Sequence, residues 1–266
     1  MAFISGNDRS AKIAVPKYRG RAIFLLLGIL VLLLAWLVLS LIFPEFIIAS
    51  PAATLSALGR LALDGDLWKQ FAFSLERLLI GLACGGVVGV GLGILAGLHL
   101  RLRTFLEPMR WAVMTVPAII ISVLAMLWFG LGSIQVVFMT AVITMPISYV
   151  NTLEGILAID SRIIEMAEVY KIPARLRLTQ VYLPGMASAV MAGLTLASGI
   201  GVRAAILAEF IGASNGIGHS LFLSWTFLDT PSLFAWILMA FLLLGLVEFG
   251  VLKPIRDYLT RWKRTT

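Results

Sequence analysis

Few side chains in this sequence have the chemistry of a catalytic or metal-binding site. It contains two histidines, His99 and His219, and a single cysteine, Cys84, which lies inside an apolar run. A structural metal site needs about four such ligands, so we expect neither a metal site nor a catalytic centre. The Gly-x-x-x-x-Gly-Lys-Ser/Thr pattern of a phosphate-binding loop does not occur either. The chain is therefore not expected to bind ATP by that route.

The remaining candidates are charged residues inside long apolar runs, where a charge is costly and usually faces a cavity or a partner. Arg203 lies near the middle of one run, and Glu209 lies near its end. Arg203 either faces a polar cavity, where it would attract an anion, or pairs with a carboxylate, or extends toward the surface. Arg203 and Glu209 are six residues apart, which corresponds to a rotation of about 240° around a helix. The two side chains therefore point in different directions, and Glu209 is not the direct partner of Arg203. Glu76 and Glu248 are expected to pair with Arg77 and the basic tail.

The composition indicates that the solvent of this protein is largely the lipid bilayer. Of its 266 residues, 60% are hydrophobic and 13% are charged, and the mean hydropathy is +1.00. Soluble domains usually contain about 25% charged residues. The net charge of +7 does not indicate nucleic-acid binding, because no basic stripe alternates with exposed aromatic residues. We therefore predict an all-α integral membrane protein.

Six apolar runs predict six transmembrane helices in one domain. The first run is longer than the apolar core of a signal peptide, so we expect it to be retained. Ser50 and Pro51 predict the cap and the start of a short amphipathic helix before the second run. The predicted spans cover residues 22–43, 74–98, 111–129, 134–153, 185–210 and 232–252.

The distribution of basic residues predicts that both termini are cytoplasmic. Seventeen Lys and Arg residues lie in segments 1–21, 99–110, 155–184 and 253–266, against two in the loops of the opposite side. Basic residues accumulate in cytoplasmic loops, which sets this orientation. We therefore divide the chain into an N-terminal segment 1–21, a transmembrane domain 22–252 that includes the cytoplasmic loop 155–184, and a basic tail 253–266.

Small residues recur at every fourth position of two predicted spans. Because residues four apart share one helix face, they form a smooth ridge that lets another helix approach closely. A dinucleotide-binding fingerprint is a poorer interpretation, since no strand precedes these glycines. The glycines assigned to helix packing are Gly81, Gly85, Gly89, Gly93, Gly97, Gly193 and Gly201.

The long polar stretch from Glu165 to Pro184 lies in the predicted cytoplasmic loop between helices four and five. It carries Glu165-Met166-Ala167, then Lys171, then Leu183-Pro184. The pattern resembles, without a gap, the EAA loop of permease subunits in binding-protein-dependent bacterial ABC importers. Two further pieces, 128–132 (Trp-Phe-Gly-Leu-Gly) and 208–211 (Ala-Glu-Phe-Ile), resemble the branch that handles taurine, alkanesulfonates, nitrate and thiamine precursors.

This resemblance implies two short coupling helices that dock on a cytoplasmic ATPase. Ala167 would pack closely against that partner, Glu165 would make polar contacts, and Arg175 and Arg177 would meet acidic residues. Met166 and Lys171 depart from the motif's Ala and Gly. The Gly normally ends the first short helix in a left-handed turn, so Lys171, Ile172 and Pro173 must form that turn, with Pro173 starting the next helix.

The resemblance also implies the partners and the location of the chain. We expect a homodimer in the bacterial inner membrane, with two ATP-binding subunits that hold ATP and Mg²⁺ and with a periplasmic or lipid-anchored binding protein. The solute is expected to be a small anion or a vitamin precursor. Glu209 would gate the translocation path or pair across the dimer. The residues assigned to the path are Pro117, Trp128, Pro146, Arg203 and Glu209.

Three other interpretations remain open from the sequence. A secondary transporter driven by an ion gradient would show inverted repeats with broken helices, which we do not find. A membrane-embedded enzyme would need clustered acids or histidines at one depth, whereas His99 and His219 fall on opposite sides of the predicted topology. The stretch 165–184 could also be an ordinary basic loop. Such a loop would not be expected to carry both parts of the motif at this separation.

Overall fold

The computed structural model describes residues 21–259, and these residues are helical with short connections. No strand occurs among them, as the predicted all-α class requires. The predicted segment 1–21 lies outside the described residues except for Arg21, and the tail is described as far as Leu259. The helices are α1 Arg21–Ile42, α2 Pro51–Leu63, α3 Asp66–Leu98, α4 Leu100–Thr115, α5 Ala118–Phe129, α6 Ser133–Leu157, α7 Ser161–Val169, α8 Ala174–Arg177, α9 Leu183–Gly212, α10 Ile217–Thr226, α11 Thr230–Gly245 and α12 Lys253–Leu259. 

Five helical stretches of the described chain are long and apolar enough to cross a membrane. A sixth crossing exists if α4 and α5 together form one span. Four predicted spans correspond closely to α1, α6, α9 and α11 with its continuation. The span predicted from Ser74 begins instead at Asp66, because Gly65 forms the preceding turn with a φ of 76°.

The predicted third span contains a sharp bend at Pro117. Between α4 and α5 the chain bends by 98° at Val116 and Pro117. A proline disfavours the helical conformation in the residue before it, and Val116 is extended, with φ −68° and ψ 125°. The predicted span over 111–129, which Pro117 interrupts, thus corresponds to a bent pair of helices that begins earlier, at Leu100. In contrast, α6 continues through Pro146 without interruption.

The centre of the fold is the packing of α3 and α9 on either side of α6. Along α3, the predicted glycine ridge lies directly against α6. A methyl group added to Gly81 would be 2.6 Å from Thr140 Cβ, and one added to Gly93 would be 2.7 Å from Thr152 Cβ. These distances are shorter than normal carbon contacts, so only glycine permits this approach. In α9, Gly193 meets Asn151 and Gly201 meets Thr144 in the same way.

The face of α6 that meets the glycines carries a ridge of hydroxyl side chains at every fourth position. Each hydroxyl donates a hydrogen bond to the carbonyl of its own helix four residues earlier, which satisfies it without a partner helix. Thr140, Ser148 and Thr152 therefore present side-chain carbon atoms to the glycines of α3, whereas Thr144 presents its hydroxyl oxygen to Gly85. The four bonds run from Thr140 to Val136, from Thr144 to Thr140, from Ser148 to Thr144 and from Thr152 to Ser148, at 2.7–3.1 Å.

A methyl group on α3 is predicted to destabilise the protein only on the glycine ridge. In Gly89→Ala the new carbon would lie 2.8 Å from Ser148 Cβ and closer still to the carbonyl oxygen of Met145, whereas Gly91 has nothing within 4 Å of such a carbon. Overpacking of this kind costs about 1–3 kcal/mol. Denaturant titration in detergent should show that loss for Gly89→Ala. An equal loss in the control variant Gly91→Ala would contradict the packing argument.

Candidate functional site

The stretch 161–177 forms a helix–turn–helix. Asp160 caps α7, its carboxylate accepting a hydrogen bond of 2.9 Å from the Arg162 amide. At the end of α7, Lys171 adopts a φ of 52°. The amide of Ile172 donates to the Ala167 carbonyl and the amide of Lys171 donates to the Glu168 carbonyl, both at 2.9 Å. This pair of bonds is the Schellman arrangement. Lys171 therefore occupies the left-handed position at which the family motif has glycine.

The second helix of this unit begins one residue later than expected. Pro173 lies just before α8, and its carbonyl accepts bonds from the amides of Leu176 and Arg177 at 2.9 and 3.0 Å. Arg177 also forms an ion pair of 3.2 Å with Glu168. This contact joins α7 to α8 within the chain. In this structure Arg177 is thus engaged internally, while Glu165 and Arg175 remain exposed.

The exposed surface of α7 differs from the one expected. Ala167 is 1% exposed, so its side chain is covered by its own chain and is not available to a partner. In contrast, Met166 is 52% exposed, Val169 is 79% exposed and Tyr170 is 76% exposed. Large apolar side chains exposed next to one another outside the spans are typical of a protein–protein contact. Sequence reasoning missed Val169 and Tyr170, which no part of the motif marks.

The chain continues from α8 into α9 without leaving the helical conformation. Residues Leu178–Tyr182 form a π-helical turn, and Ala174–Gly212 is one helical stretch of 39 residues. Pro184 explains the π turn, because its ring would clash with the carbonyl four residues earlier in a regular α-helix. Leu183 and Pro184 are thus part of this long helix. Its length is about 58 Å at ~1.5 Å per residue, well beyond the ~30 Å of a bilayer core.

At the Gly212 end of α9, a buried ion pair and its hydrogen bonds join four helices. Glu209 is fully buried, and its Oε1 accepts a bond of 2.9 Å from Arg77 of α3. Its Oε2 accepts bonds from the Ser74 hydroxyl at 2.6 Å and from the Gly218 amide at 3.0 Å. Arg77 Nε donates to Ser133 of α6 at 3.0 Å. The pair therefore connects α3, α6, α9 and α10.

The connection from α9 to α10 is held by the same group of side chains. Arg77 donates to the carbonyl oxygen of Asn215 at 2.8 Å and also to its side-chain oxygen. The amide of Gly216 donates to Gln70 at 2.6 Å, and that of Ile217 donates to Ser74 at 2.8 Å. We call these six side chains and the backbone amides that they bind the Arg77–Glu209 network. Its polar side chains are Gln70, Ser74, Arg77, Ser133, Glu209 and Asn215.

The network corrects two expectations. Arg77 pairs with Glu209 rather than with its neighbour Glu76, which is exposed. Glu209 is fully buried and pairs within its own chain, so it does not face an open path. A carboxylate inside a span needs a cation at the same depth. Among the basic residues, only Arg77 and Arg203 lie within or at the edge of the predicted spans. The helix angle excludes Arg203 as a direct partner of Glu209. Arg77 could therefore have been identified from the sequence as the cation that pairs with Glu209.

Arg203 faces an open groove of about 610 Å³ that α9 shares with the end of the last long helix. That helix continues from α11 through the π-helical residues Leu246–Leu252 into α12. Glu248 and Arg256 line the same groove. The other residues assigned to a path lie elsewhere. Pro146 borders a small apolar cavity beside α4, and Trp128 is exposed beside Phe138.

In the described part of the chain, no group of His, Cys, Asp and Glu residues could hold a metal ion. The charged groups that the structure brings together form the buried network and the open groove. In the network, the Ser74 hydroxyl donates to the Glu209 carboxylate, and both side chains are fully buried, so neither is open to a substrate. The geometry is suited to binding and movement.

Removing the charge of Glu209 is predicted to destabilise the protein strongly. In Glu209→Gln, the guanidinium of Arg77 would stay buried without a counter-charge, and breaking a buried pair costs about 3–5 kcal/mol. The free energy of unfolding in detergent should fall accordingly. Glu168→Gln removes one partner of the exposed pair with Arg177. This variant should change the free energy of unfolding little. Equal losses in the two variants would contradict the importance of burial.

Restoring glycine at position 171 is predicted to stabilise the helix–turn–helix. A non-glycine residue in the left-handed region costs about 1 kcal/mol, and Lys171→Gly removes that cost. Lys69→Gly, on the exposed face of α3, should have the opposite effect, because glycine inside a helix costs about 1 kcal/mol. Thermal unfolding in detergent measures the change in stability of both variants. A destabilised Lys171→Gly variant would be inconsistent with the observed turn.

Comparisons with known proteins identify the family. The model of the family described as "Binding-protein-dependent transport system inner membrane component" matches residues 89–253, more than half of the chain. SsuC of Escherichia coli, named as an aliphatic sulfonates transport permease, is 32% identical over 81% of this chain and 82% of its own length. The taurine transport system permease protein TauC of Escherichia coli is 29% identical over 91% of this chain and 90% of its own length.

The formylaminopyrimidine transport permease protein ThiX of Halalkalibacterium halodurans is 27% identical over 72% of this chain and 76% of its own length. A solved chain of the MetNI methionine ABC transporter superposes with a TM-score of 0.64, covering 73% of this chain and 95% of that one. At 16% identity, this likeness bears on the fold alone. The family match and the SsuC relationship establish that this chain belongs to the family of binding-protein-dependent transport system inner membrane components.

Proposed function

We propose that this chain is the membrane-spanning subunit of an ATP-driven importer and forms the translocation path for a small solute. The relatives are named for aliphatic sulfonates, taurine and formylaminopyrimidine, so the solute is expected in that chemical range. Energy would come from two ATP-binding subunits that hold ATP and Mg²⁺. A second copy of the chain would complete the path, and a binding protein would deliver the solute.

The observation that carries this proposal is the continuous helix Ala174–Gly212. It begins at the helix–turn–helix, passes the groove at Arg203 and ends at the Arg77–Glu209 network. No flexible joint interrupts it, so a displacement of α7 and α8 would move the wall of the groove. This continuity is what an ATPase outside the membrane would need in order to act on a path within it.

The exposed residues of α7 supply the proposed docking surface for the ATP-binding subunit. Met166, Val169 and Tyr170 would enter a groove of that subunit, since an amphipathic helix docks through its exposed apolar side chains. Glu165 and Arg175 are exposed beside them and would make polar contacts at the rim. Ala167 would act indirectly, because its small side chain is packed inside the unit and sets how closely α7 lies against it.

The helix–turn–helix is stiff enough for this role. The Schellman turn at Lys171 and the Glu168–Arg177 ion pair hold α7 and α8 at a fixed angle. At the opposite end, the Arg77–Glu209 network joins α9 to α3 and α6. The three central helices would therefore rock together when the ATP-binding subunits close. In the proposed orientation, the helix–turn–helix and both termini are cytoplasmic, and the membrane is the bacterial inner membrane.

Truncation of Tyr170 tests the proposed docking surface. In a complex reconstituted with its ATP-binding subunit and binding protein, Tyr170→Ala combined with Val169→Ser should lower both subunit binding and ATP-dependent uptake at least tenfold, as loss of about 1.4 kcal/mol implies. Phe227→Ala is the matched control, because Phe227 is also 76% exposed but lies beyond the other end of the long helix. It should keep full ATPase binding.

Two results would contradict the proposal. If the α7 variant bound the ATP-binding subunit normally, α7 would not be the docking surface. If uptake followed an ion gradient and needed no ATP, the chain would be a secondary transporter.

A further inference from the structure

The groove beside α9 carries two opposite charges that do not neutralise each other. Arg203 comes from α9 and Glu248 from the π-helical turn of the last long helix. No ion pair joins them within 4.0 Å, and neither has an ion pair or hydrogen bond to any other residue of the described chain. Charges at this depth of a membrane span are expensive unless they face water or a partner. Arg256, the third charged residue that lines this groove, has an interaction of its own. Within the described residues, Arg203 and Glu248 are therefore the two charges available to a charged guest.

The direction of the two helices brings these charges toward one another. Side chains of a helix lean toward its N-terminus. The N-terminus of α9 is at Leu183, so Arg203 leans toward Gly199. The last long helix runs in the opposite sense, since α10 and its short loops connect it to α9 at the Gly212 end. Glu248 therefore leans toward the Gly212 end, and the two charged groups approach the same section of the groove from opposite directions.

Two further features mark this section of the groove. A methyl group added to Gly199 would meet nothing within 4 Å, whereas one added to Gly201 would be 3.0 Å from Leu82 and Thr144. Helix packing thus accounts for Gly201 but leaves Gly199 unexplained. The π turn at Leu246–Leu252 is the second feature, because such turns shift the side chains of a helix and occur frequently at functional sites.

We propose that the groove at Gly199 is a binding site for a small zwitterion, with its oxyanion on Arg203 and its ammonium group on Glu248. This inference rests on the proposed function and specifies its solute class, an amino-sulfonate or amino-carboxylate with a short aliphatic spacer. A simple anion would be held by Arg203 alone and would leave Glu248 without a partner. Thr195 lines the same groove, and because its hydroxyl donates to the Met191 carbonyl at 2.9 Å, its oxygen remains as an acceptor for the guest's ammonium group.

Direct binding to the purified full-length protein in lipid nanodiscs tests the site without any partner subunit. The probes are taurine and β-alanine, which carry both charges, ethanesulfonate, which lacks the amino group, and ethylamine, which lacks the sulfonate. One well-placed charged contact is worth about tenfold in affinity. Calorimetry should therefore show that one of the two zwitterions binds at least tenfold more tightly than either singly charged compound.

Two charge variants separate the contributions. Glu248→Gln should weaken zwitterion binding at least tenfold and leave ethanesulfonate unchanged. Arg203→Gln should weaken both zwitterion and ethanesulfonate binding. Glu76→Gln, an exposed carboxylate on α3, is the matched control and should bind like the wild type. If Glu248→Gln did not change the preference for the zwitterion, or if the wild type bound neither zwitterion, the inference would be wrong.

A third variant tests the location without changing any charge. Gly199→Leu should fill the groove and abolish zwitterion binding while the protein remains folded, because the first carbon of the new side chain has nothing within 4 Å. Gly28→Leu, also with nothing within 4 Å of an added methyl group, is its control. Unchanged binding in Gly199→Leu would overturn the site. Loss of binding here leaves ATPase coupling through Tyr170 untouched, so failure of this inference and failure of the proposed function are distinguishable.

Discussion

The structure depends on the burial of one ion pair, Arg77–Glu209, in a setting where lipid offers no hydrogen bonds. A carboxylate without water must obtain every partner from the protein. Glu209 obtains them from Arg77 and Ser74 of α3 and from the Gly218 amide of α10. Satisfying this one group therefore fixes α3, α9 and α10 relative to one another. Arg77 extends the same requirement to α6 through Ser133 and to the connection through Asn215.

The glycine ridge of α3 solves the complementary problem along the rest of the bundle. Apolar helices gain little from contact with one another in lipid, so close approach and dispersion must supply the attraction. The hydroxyl groups of α6 bond to their own backbone, and Thr140 and Thr152 present carbon to the glycines. Polar groups are thus satisfied either within one helix, as on α6, or across several, as in the network. The first arrangement permits close packing, and the second gives the packing a unique register.

Local features were readable from the sequence, and contacts between distant residues were not. The helical class, the Ser50–Pro51 helix start and the packing role of Gly81 or Gly93 follow from spacing on a single helix. The turn at Lys171 could also be expected, since Pro173 excludes continuation of the helix. The break at Pro117 was underestimated, because a proline predicts a disturbance but not its angle. The burial of Ala167 and the pairing of Arg77 depend on neighbours that no local pattern encodes.

The unbroken helix Ala174–Gly212 has a mechanical consequence. A rod of about 58 Å that tilts by about 5° around one end moves the other end by about 5 Å, roughly the rise of one helical turn. An adjustment at the Gly212 end that is small on the scale of a side chain would thus become a large displacement at α8, and the reverse movement would be reduced by the same lever. The π turn lies at Leu178–Tyr182, and the stiffness of this segment determines how much of a tilt at one end of the helix is transmitted to the other end.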